Sequence, residues 1–149
     1  MNTTDTIEGG CQCGRVRYRV RPPLPPAWAC HCRECQKQSG GAGTLSISVA
    51  AEDFEVEGEM AAYDRPAESG ATTTGFFCPH CGARLFHRSS RSAARLTLKA
   101  GNLDDTSGLT PVCHLWVSRK QPWVVLDPAL PAYDTQPADL KAWREELIR

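Results

Sequence analysis

The sequence lacks a long hydrophobic segment, an excess of either charge and an export signal. No apolar run approaches the roughly 18 residues of a membrane-spanning helix, so we expect no integral helical membrane protein. Lysine plus arginine and aspartate plus glutamate each number 17 among 149 residues. This balance gives no reason to expect a nucleic acid or an anionic membrane as a partner. The length predicts one domain with a single core.

The first ten residues are polar and acidic, without the basic segment and apolar stretch of a secretory signal. We therefore expect a cytoplasmic protein, in which thiols stay reduced. Eight cysteines are a high count for that compartment. A disulfide framework also uses an even number of cysteines, but the missing export signal favours metal ligation. The cysteines fall in groups with the spacing of metal ligands: Cys11 and Cys13; Cys30, Cys32 and Cys35; Cys78 and Cys81; and Cys113 alone.

The segment Cys78-Pro79-His80-Cys81-Gly82 has the pattern of a zinc knuckle, in which Gly82 permits a positive φ after the second ligand. A structural zinc needs four ligands, so the knuckle requires a second pair. Cys11 and Cys13 are the natural partners, because alternate residues of an extended chain point to the same face. The alternative pairs the knuckle with two cysteines of residues 30–35.

Residues 30–35 place three thiols within six positions. Three protein ligands and one open position are the pattern of a catalytic zinc, which could bind a thiolate or a carbonyl oxygen. The segment could instead be a redox thiol site. It could also be a structural site that a fourth ligand closes, with three candidates: His31, Cys113 and His114.

The hydrophobic pattern predicts a mainly β protein. Strict alternation over Arg15–Arg21 indicates a half-buried strand whose arginines face solvent. Residues 69–75 are interpreted as a turn or loop. Helical spacing occurs only in the tail, over residues 137–148, where Asp139 could cap the helix. Further strands are predicted over residues 45–49, 54–58, 95–99, 116–117 and 123–126.

Several motifs in order along residues 8–126 resemble the glutathione-dependent formaldehyde-activating enzyme family, which shares its domain with the centromere protein V group. The motifs that carry the resemblance are Gly9-Gly10-Cys11-Gln12-Cys13-Gly14, Cys30-His31-Cys32-Arg33-Glu34-Cys35-Gln36, Ser39-Gly40, Phe76-Phe77-Cys78-Pro79-His80-Cys81-Gly82, Gly101-Asn102-Leu103-Asp104-Asp105, Pro111, His114-Leu115-Trp116-Val117 and Pro122-Trp123.

The resemblance implies a β-tent fold, in which small antiparallel sheets lean together around a zinc site. We expect this domain over residues 8–133, after a tail of residues 1–7 and before a helical tail of residues 134–149. Two zinc ions per chain are implied. The structural zinc would be held by Cys11, Cys13, Cys78 and Cys81, and the second zinc by Cys30, Cys32 and Cys35.

The implied activity is the condensation of glutathione with formaldehyde to S-hydroxymethylglutathione, formally a carbon–sulfur lyase in reverse, with Cys30, Cys32 and Cys35 as the catalytic ligands. The partner would be a small-molecule thiol or thiol adduct. The alternative is a non-catalytic zinc-binding interaction module. The sequence leaves the true substrate and the oligomeric state open. Three residues that flank the motifs are candidate pocket residues: Ser39, Gly40 and His114.

Overall fold

The computed structural model describes residues 6–147 and divides the chain into two compact units. The first unit comprises Met1–Leu24, described from Thr6 onward, and Ser48–Gly108. The second comprises Pro25–Ile47 and Leu109–Arg149, described as far as Leu147. Each unit is therefore built from two separate stretches of the chain.

The described residues form mainly strands, as the sequence predicts, together with two short α-helices. The strands are β1 (Ile7–Gly10), β2 (Arg17–Val20), β3 (Ala27–Cys30), β4 (Thr44–Ala50), β5 (Phe54–Glu57), β6 (Ala61–Pro66), β7 (Thr72–Phe77), β8 (Arg84–Ser89), β9 (Ser92–Lys99) and β10 (Pro111–Leu115), and the helices are α1 (Arg33–Ser39) and α2 (Leu140–Leu147).

In the first unit, β1, β2 and β5 form a small antiparallel sheet with β2 in the centre. Tyr18 and Val20 of β2 are buried, and Arg17 and Arg19 lie on the opposite face in ion pairs with carboxylates. The predicted half-buried strand with solvated arginines is confirmed. Strand β2 is shorter than the alternating segment Arg15–Arg21, because the residues before Arg17 belong to the turn that follows Cys11.

Strands β6 to β9 of the same unit pair in sequence as an antiparallel meander. The prediction of a loop over residues 69–75 is wrong from Thr72 onward, where β7 begins. A turn closes between Ala67 and Ala71, and its Gly70 has φ 85°. The β-branched side chains of residues 72–74 then suit a strand that pairs on both sides, with β6 and β8.

In the second unit, β10 pairs in parallel with β3, and β3 pairs antiparallel with β4. The core of this unit contains Trp28, Cys113, Leu115 and Trp143. The Trp28 and Trp143 rings meet edge to face with centroids 5.2 Å apart, so Trp143 anchors α2.

The predicted tail helix is confirmed over Leu140–Leu147, and residue 148 lies outside the described residues. As expected, Asp139 caps α2: its Oδ1 accepts a hydrogen bond from the N–H of Ala142 at 2.9 Å.

Three features of the second unit differ from the predictions. The sequence places a strand over residues 116–117, but β10 ends at Leu115 and Trp116 has a left-handed backbone with φ 59°. A short 3₁₀ turn follows. Residues 123–126 form no strand, because the chain turns at Pro122 and the N–H of Val124 bonds to the Gln121 carbonyl at 3.1 Å. Helix α1 was not predicted.

Within residues 6–147, no helix is both long and apolar enough to cross a membrane.

Candidate metal centres

The first centre, the four-thiol cluster, consists of the sulfurs of Cys11, Cys13, Cys78 and Cys81, which all lie within 4.8 Å of one another. The Cys13 sulfur lies 3.6 Å from that of Cys11 and 3.7 Å from that of Cys78. Thiolates bound tetrahedrally to zinc at about 2.3 Å would stand roughly 3.8 Å apart. All eight cysteines are free thiols, so this donor set fits a zinc ion.

Two glycine turns bring these sulfurs together. After β1, the N–H of Gly14 bonds to the Cys11 carbonyl at 3.1 Å, with φ 80° at Gly14. After β7, the N–H of Gly82 bonds to the Cys78 carbonyl at 2.8 Å, and Gly82 has the predicted positive φ of 78°. Each turn thus presents two thiols. Binding of zinc to the four sulfurs stays a prediction.

The thiols of the four-thiol cluster differ in pKa. The pKa of Cys81 is lowered to about 6, chiefly by backbone hydrogen bonds from Ala83 and Cys13. The Arg15 amide lowers the pKa of Cys13, but desolvation and the neighbouring thiols outweigh it and raise that pKa to about 11. Metal binding would release the protons that these sulfurs share.

The second centre, the three-thiol cluster, consists of the sulfurs of Cys30, Cys32 and Cys35, again within 4.8 Å of one another. Cys30 is the last residue of β3, Cys35 lies in the first turn of α1, and Cys32 is the N-cap. The Cys32 sulfur accepts a hydrogen bond from the Cys35 N–H at 3.3 Å. Among residues 6–147, no histidine, carboxylate or further cysteine joins this cluster, which leaves three ligand atoms.

In the three-thiol cluster, the pKa values of Cys30 and Cys32 are raised, which disfavours their thiolate forms. The neighbouring thiols of Cys32 and Cys35, and then burial, raise the pKa of Cys30 strongly. The Cys30 thiol lowers the pKa of Cys32, but Cys35 and burial outweigh it, so that pKa is also raised. Three crowded sulfurs cannot ionise together unless a cation compensates their charge. The donor set and its crowding therefore fit a thiophilic metal ion.

Next to this cluster lies a buried pair of histidines, His31 and His114, only 6% and 8% exposed. The Nε2 of His31 lies 2.9 Å from the Nδ1 of His114, and burial lowers the pKa of both rings. The Nδ1 of His31 is buried and has no hydrogen-bond partner among the described residues. Both residues were candidate fourth ligands, but their rings bond to each other outside the cluster.

Gln36 is the functional candidate that sequence reasoning missed. It is 4% exposed, and its Nε2 donates to the carbonyls of His31 at 2.8 Å and Arg119 at 2.7 Å. Its Oε1 accepts from Gln121 at 2.9 Å and also from Arg33. A glutamine on this helix carries no local signal of burial, because two of its four partners, Arg119 and Gln121, lie 83 and 85 residues away.

The remaining candidate residues have structural roles that the sequence did not specify. Ser39 ends α1, and its Oγ accepts a hydrogen bond from Gly41 at 3.1 Å. Gly40 is the left-handed C-cap with φ 67°. A binding role for Ser39, Gly40 or His114 stays a prediction. Cys113 is fully buried in the tryptophan core, as expected for a small hydrophobic residue.

The chain is similar to known proteins in sequence and in fold. The family model described as "Glutathione-dependent formaldehyde-activating enzyme" matches residues 6–119. A Halomonas elongata protein named "Putative glutathione-dependent formaldehyde-activating enzyme" is 32% identical over 127 residues, which cover 81% of each chain. A crystal structure of a Rhodobacter sphaeroides protein shares the fold with a TM-score of 0.54 at 15% identity, over 85% of this chain and 99% of the other. The chain therefore belongs to the glutathione-dependent formaldehyde-activating enzyme family.

Proposed function

We propose that this chain is a zinc-dependent enzyme that makes and breaks the carbon–sulfur bond of a thiol–aldehyde adduct. Glutathione and formaldehyde would be its substrates and S-hydroxymethylglutathione its product. The observation that carries the proposal is the three-thiol cluster, which offers three metal ligands and no fourth among the described residues. Such a site leaves a coordination position open to a substrate.

Cys30, Cys32 and Cys35 would hold the catalytic zinc, and Cys11, Cys13, Cys78 and Cys81 a structural one. A zinc ion bound at an open site lowers the pKa of a bound thiol and polarises a carbonyl group. The burial of these cysteines supports this role, since Cys35 is buried and Cys30 and Cys32 are half-buried, and electrostatic interactions strengthen where water is excluded.

The proposed reaction is balanced without an oxidant or a reductant. The thiol sulfur attacks the carbonyl carbon, and a C–S bond forms as the π pair of the C=O bond moves to oxygen. The thiol gives up one proton and the new hydroxyl takes one, and cleavage is the reverse. The task of the protein is to hold both reactants in line, since orientation alone can contribute about 7–11 kcal/mol to a two-reactant step.

The partner would be a small-molecule thiol, as the Halomonas elongata name says of that protein. Nucleic acid is not a partner in this proposal, because the Arg17 and Arg19 side chains are paired with carboxylates. Eight free cysteines support the predicted cytoplasmic location, where thiols remain reduced.

Calorimetric titration of the zinc-loaded protein with glutathione, with S-methylglutathione as the control ligand, tests the proposal. We expect binding that requires the free thiol. Cys32→Ser should abolish it, and Cys113→Ala should keep it, because Cys113 is a cysteine outside both clusters. NMR exchange between formaldehyde and glutathione would then measure turnover in the same variants.

No binding at millimolar glutathione would reject glutathione as the substrate. If the protein holds two zinc ions but binds neither glutathione nor its formaldehyde adduct, two alternatives remain: a non-catalytic zinc-binding interaction module, or an enzyme for a different small molecule. Equal glutathione binding by wild type and Cys32→Ser would instead separate the thiol site from the three-thiol cluster.

A further inference from the structure

His31 is held on three sides by residues outside the three-thiol cluster. Its N–H donates to the Leu115 carbonyl at 3.0 Å, and its carbonyl accepts from the Gln36 side chain at 2.8 Å. Its ring bonds to His114 at 2.9 Å. His31 lies between Cys30 and Cys32 in the chain, so these bonds fix the backbone that sets the spacing of their two sulfurs.

Gln36 extends the same network to the helix that carries Cys35. Its amide donates to the Arg119 carbonyl at 2.7 Å and accepts from the Gln121 side chain at 2.9 Å. Gln36 is buried, and both its amide nitrogen and its amide oxygen form hydrogen bonds. Loss of this side chain would therefore leave its bonding partners unpaired. The start of α1 is thereby tied to residues 119–121.

The three sulfurs stand at different positions along β3 and α1. Cys30 ends a strand, Cys32 caps a helix and Cys35 lies within its first turn. Helix α1 has only seven residues, which is too short to be stable by itself. The spacing of the three ligands must therefore be maintained by bonds from elsewhere in the unit.

We propose that His31, His114 and Gln36 form a positioning network that sets the metal affinity and the coordination geometry of the three-thiol cluster. None of the three is a metal ligand in this proposal. His114 orients the His31 ring, and Gln36 fixes the His31 carbonyl. The inference rests on the proposed function, in that it takes the cluster to be a metal site. Partners of this kind typically contribute 10–100-fold to metal affinity.

Cobalt(II) titration of the apo protein tests the network, with chelator competition for affinity and the visible ligand-field spectrum for geometry. His114→Leu and His114→Asn form a matched pair of equal shape, of which only Asn keeps a hydrogen-bonding group near the Nδ1 position. We expect His114→Leu to weaken the second cobalt by 10–100-fold and change its spectrum. His114→Asn should restore most of both properties, and cobalt at the four-thiol cluster should be unaffected.

Gln36→Met, of similar length but without the amide, should produce the same loss, and it decides the question if His114→Leu fails to fold. His80→Leu is the control, since His80 also lies between two cluster cysteines but is exposed. It should leave the second cobalt unchanged. Two cobalt ions bound with wild-type affinity and spectrum in both His114→Leu and Gln36→Met would overturn the network. One cobalt per wild-type chain would overturn the proposed metal site itself.

Discussion

The ring of Tyr18 occupies the space that a side chain at Gly9 would need. The two residues face each other across β1 and β2, and both are buried. A Cβ at Gly9 would overlap the Tyr18 Cζ and hydroxyl and also the carbonyl oxygen of Asn102. Strand β1 can therefore pair with β2 in this register only if residue 9 is glycine. Gly9 lies two residues before Cys11, the first cysteine of the four-thiol cluster.

Gly9→Ala should destabilise the protein by about 1–3 kcal/mol, because the new methyl group overpacks a rigid contact that includes backbone. Urea unfolding of the zinc-loaded protein measures this loss. Gly101→Ala is the matched control, since nothing lies within 4 Å of a Cβ at Gly101. Equal urea midpoints for Gly9→Ala and Gly101→Ala would show that the structure accommodates a Cβ at residue 9 beside Tyr18.

Tyr18→Phe should not destabilise the protein, because the Tyr18 hydroxyl is buried and has no hydrogen-bond partner among the described residues. Burial also raises the pKa of Tyr18, so the folded chain keeps this proton where the unfolded chain loses it, above about pH 10. The wild type should therefore lose stability as the pH rises past that value.

Urea unfolding of both forms at pH 8 and pH 10.5 measures the difference. Tyr18→Phe should show a smaller alkaline loss than wild type. A loss above 1 kcal/mol at pH 8 in the variant would mean that the hydroxyl has a stabilising partner.

Cys78→Ser should unfold or severely destabilise the protein, because Cys78 is fully buried and would be a ligand of the zinc that closes the four-thiol cluster. Cys32→Ser should keep the fold and lose only the second zinc. Thermal melting together with zinc analysis of each purified variant distinguishes the two. Equal losses of melting temperature would contradict the division into one structural and one catalytic site.

Asp104→Asn should cost less than about 1 kcal/mol, because its ion pair with Arg17 is half exposed on both sides and is screened by solvent. The Arg17 guanidinium holds the pKa of Asp104 below its usual value. This contribution is present above an unfolded pKa of about 3.9 and is lost as the pH falls through the lower folded pKa.

Unfolding free energies of wild type and Asp104→Asn should therefore converge in strong acid and also in 1 M salt, where the Debye length is about 3 Å. A difference that survives 1 M salt would point to packing rather than charge as the role of Asp104.

Sequence patterns predicted those strands, helices and cysteine groups whose signal lies in residues close together in the chain. Alternation located β2, β4 and β9, the glycine after a short segment located β5, and helical spacing with Asp139 located α2. The cysteine spacing indicated the separate groups, and the family resemblance indicated that the two outer pairs combine; the structure groups the same sulfurs. Within each strand, helix and cysteine group, residues two to four positions apart carry the signal.

The features that sequence reasoning missed depend on distant partners. Helix α1 shows no apolar periodicity, although Glu34 in its first turn, Lys37 in its last turn and Gly40 as its C-cap were usable signals. The His31–His114 bond spans 83 residues, and no local pattern foretells it. Exposed strands such as β6, where Tyr63 is 57% exposed, likewise lack the alternation of a buried face.

The division of each unit into two stretches of chain sets an order of events on the ribosome. Cys11 and Cys13 emerge 65 residues or more before Cys78, which at about 5–20 residues per second is a wait of at least roughly 3–13 s. The thiols of residues 30–35 emerge almost together, yet their support from His114 comes 83 residues after His31. During both intervals the nascent chain carries unprotected thiols, so the speed of translation sets the time in which oxidation competes with closure of either cluster.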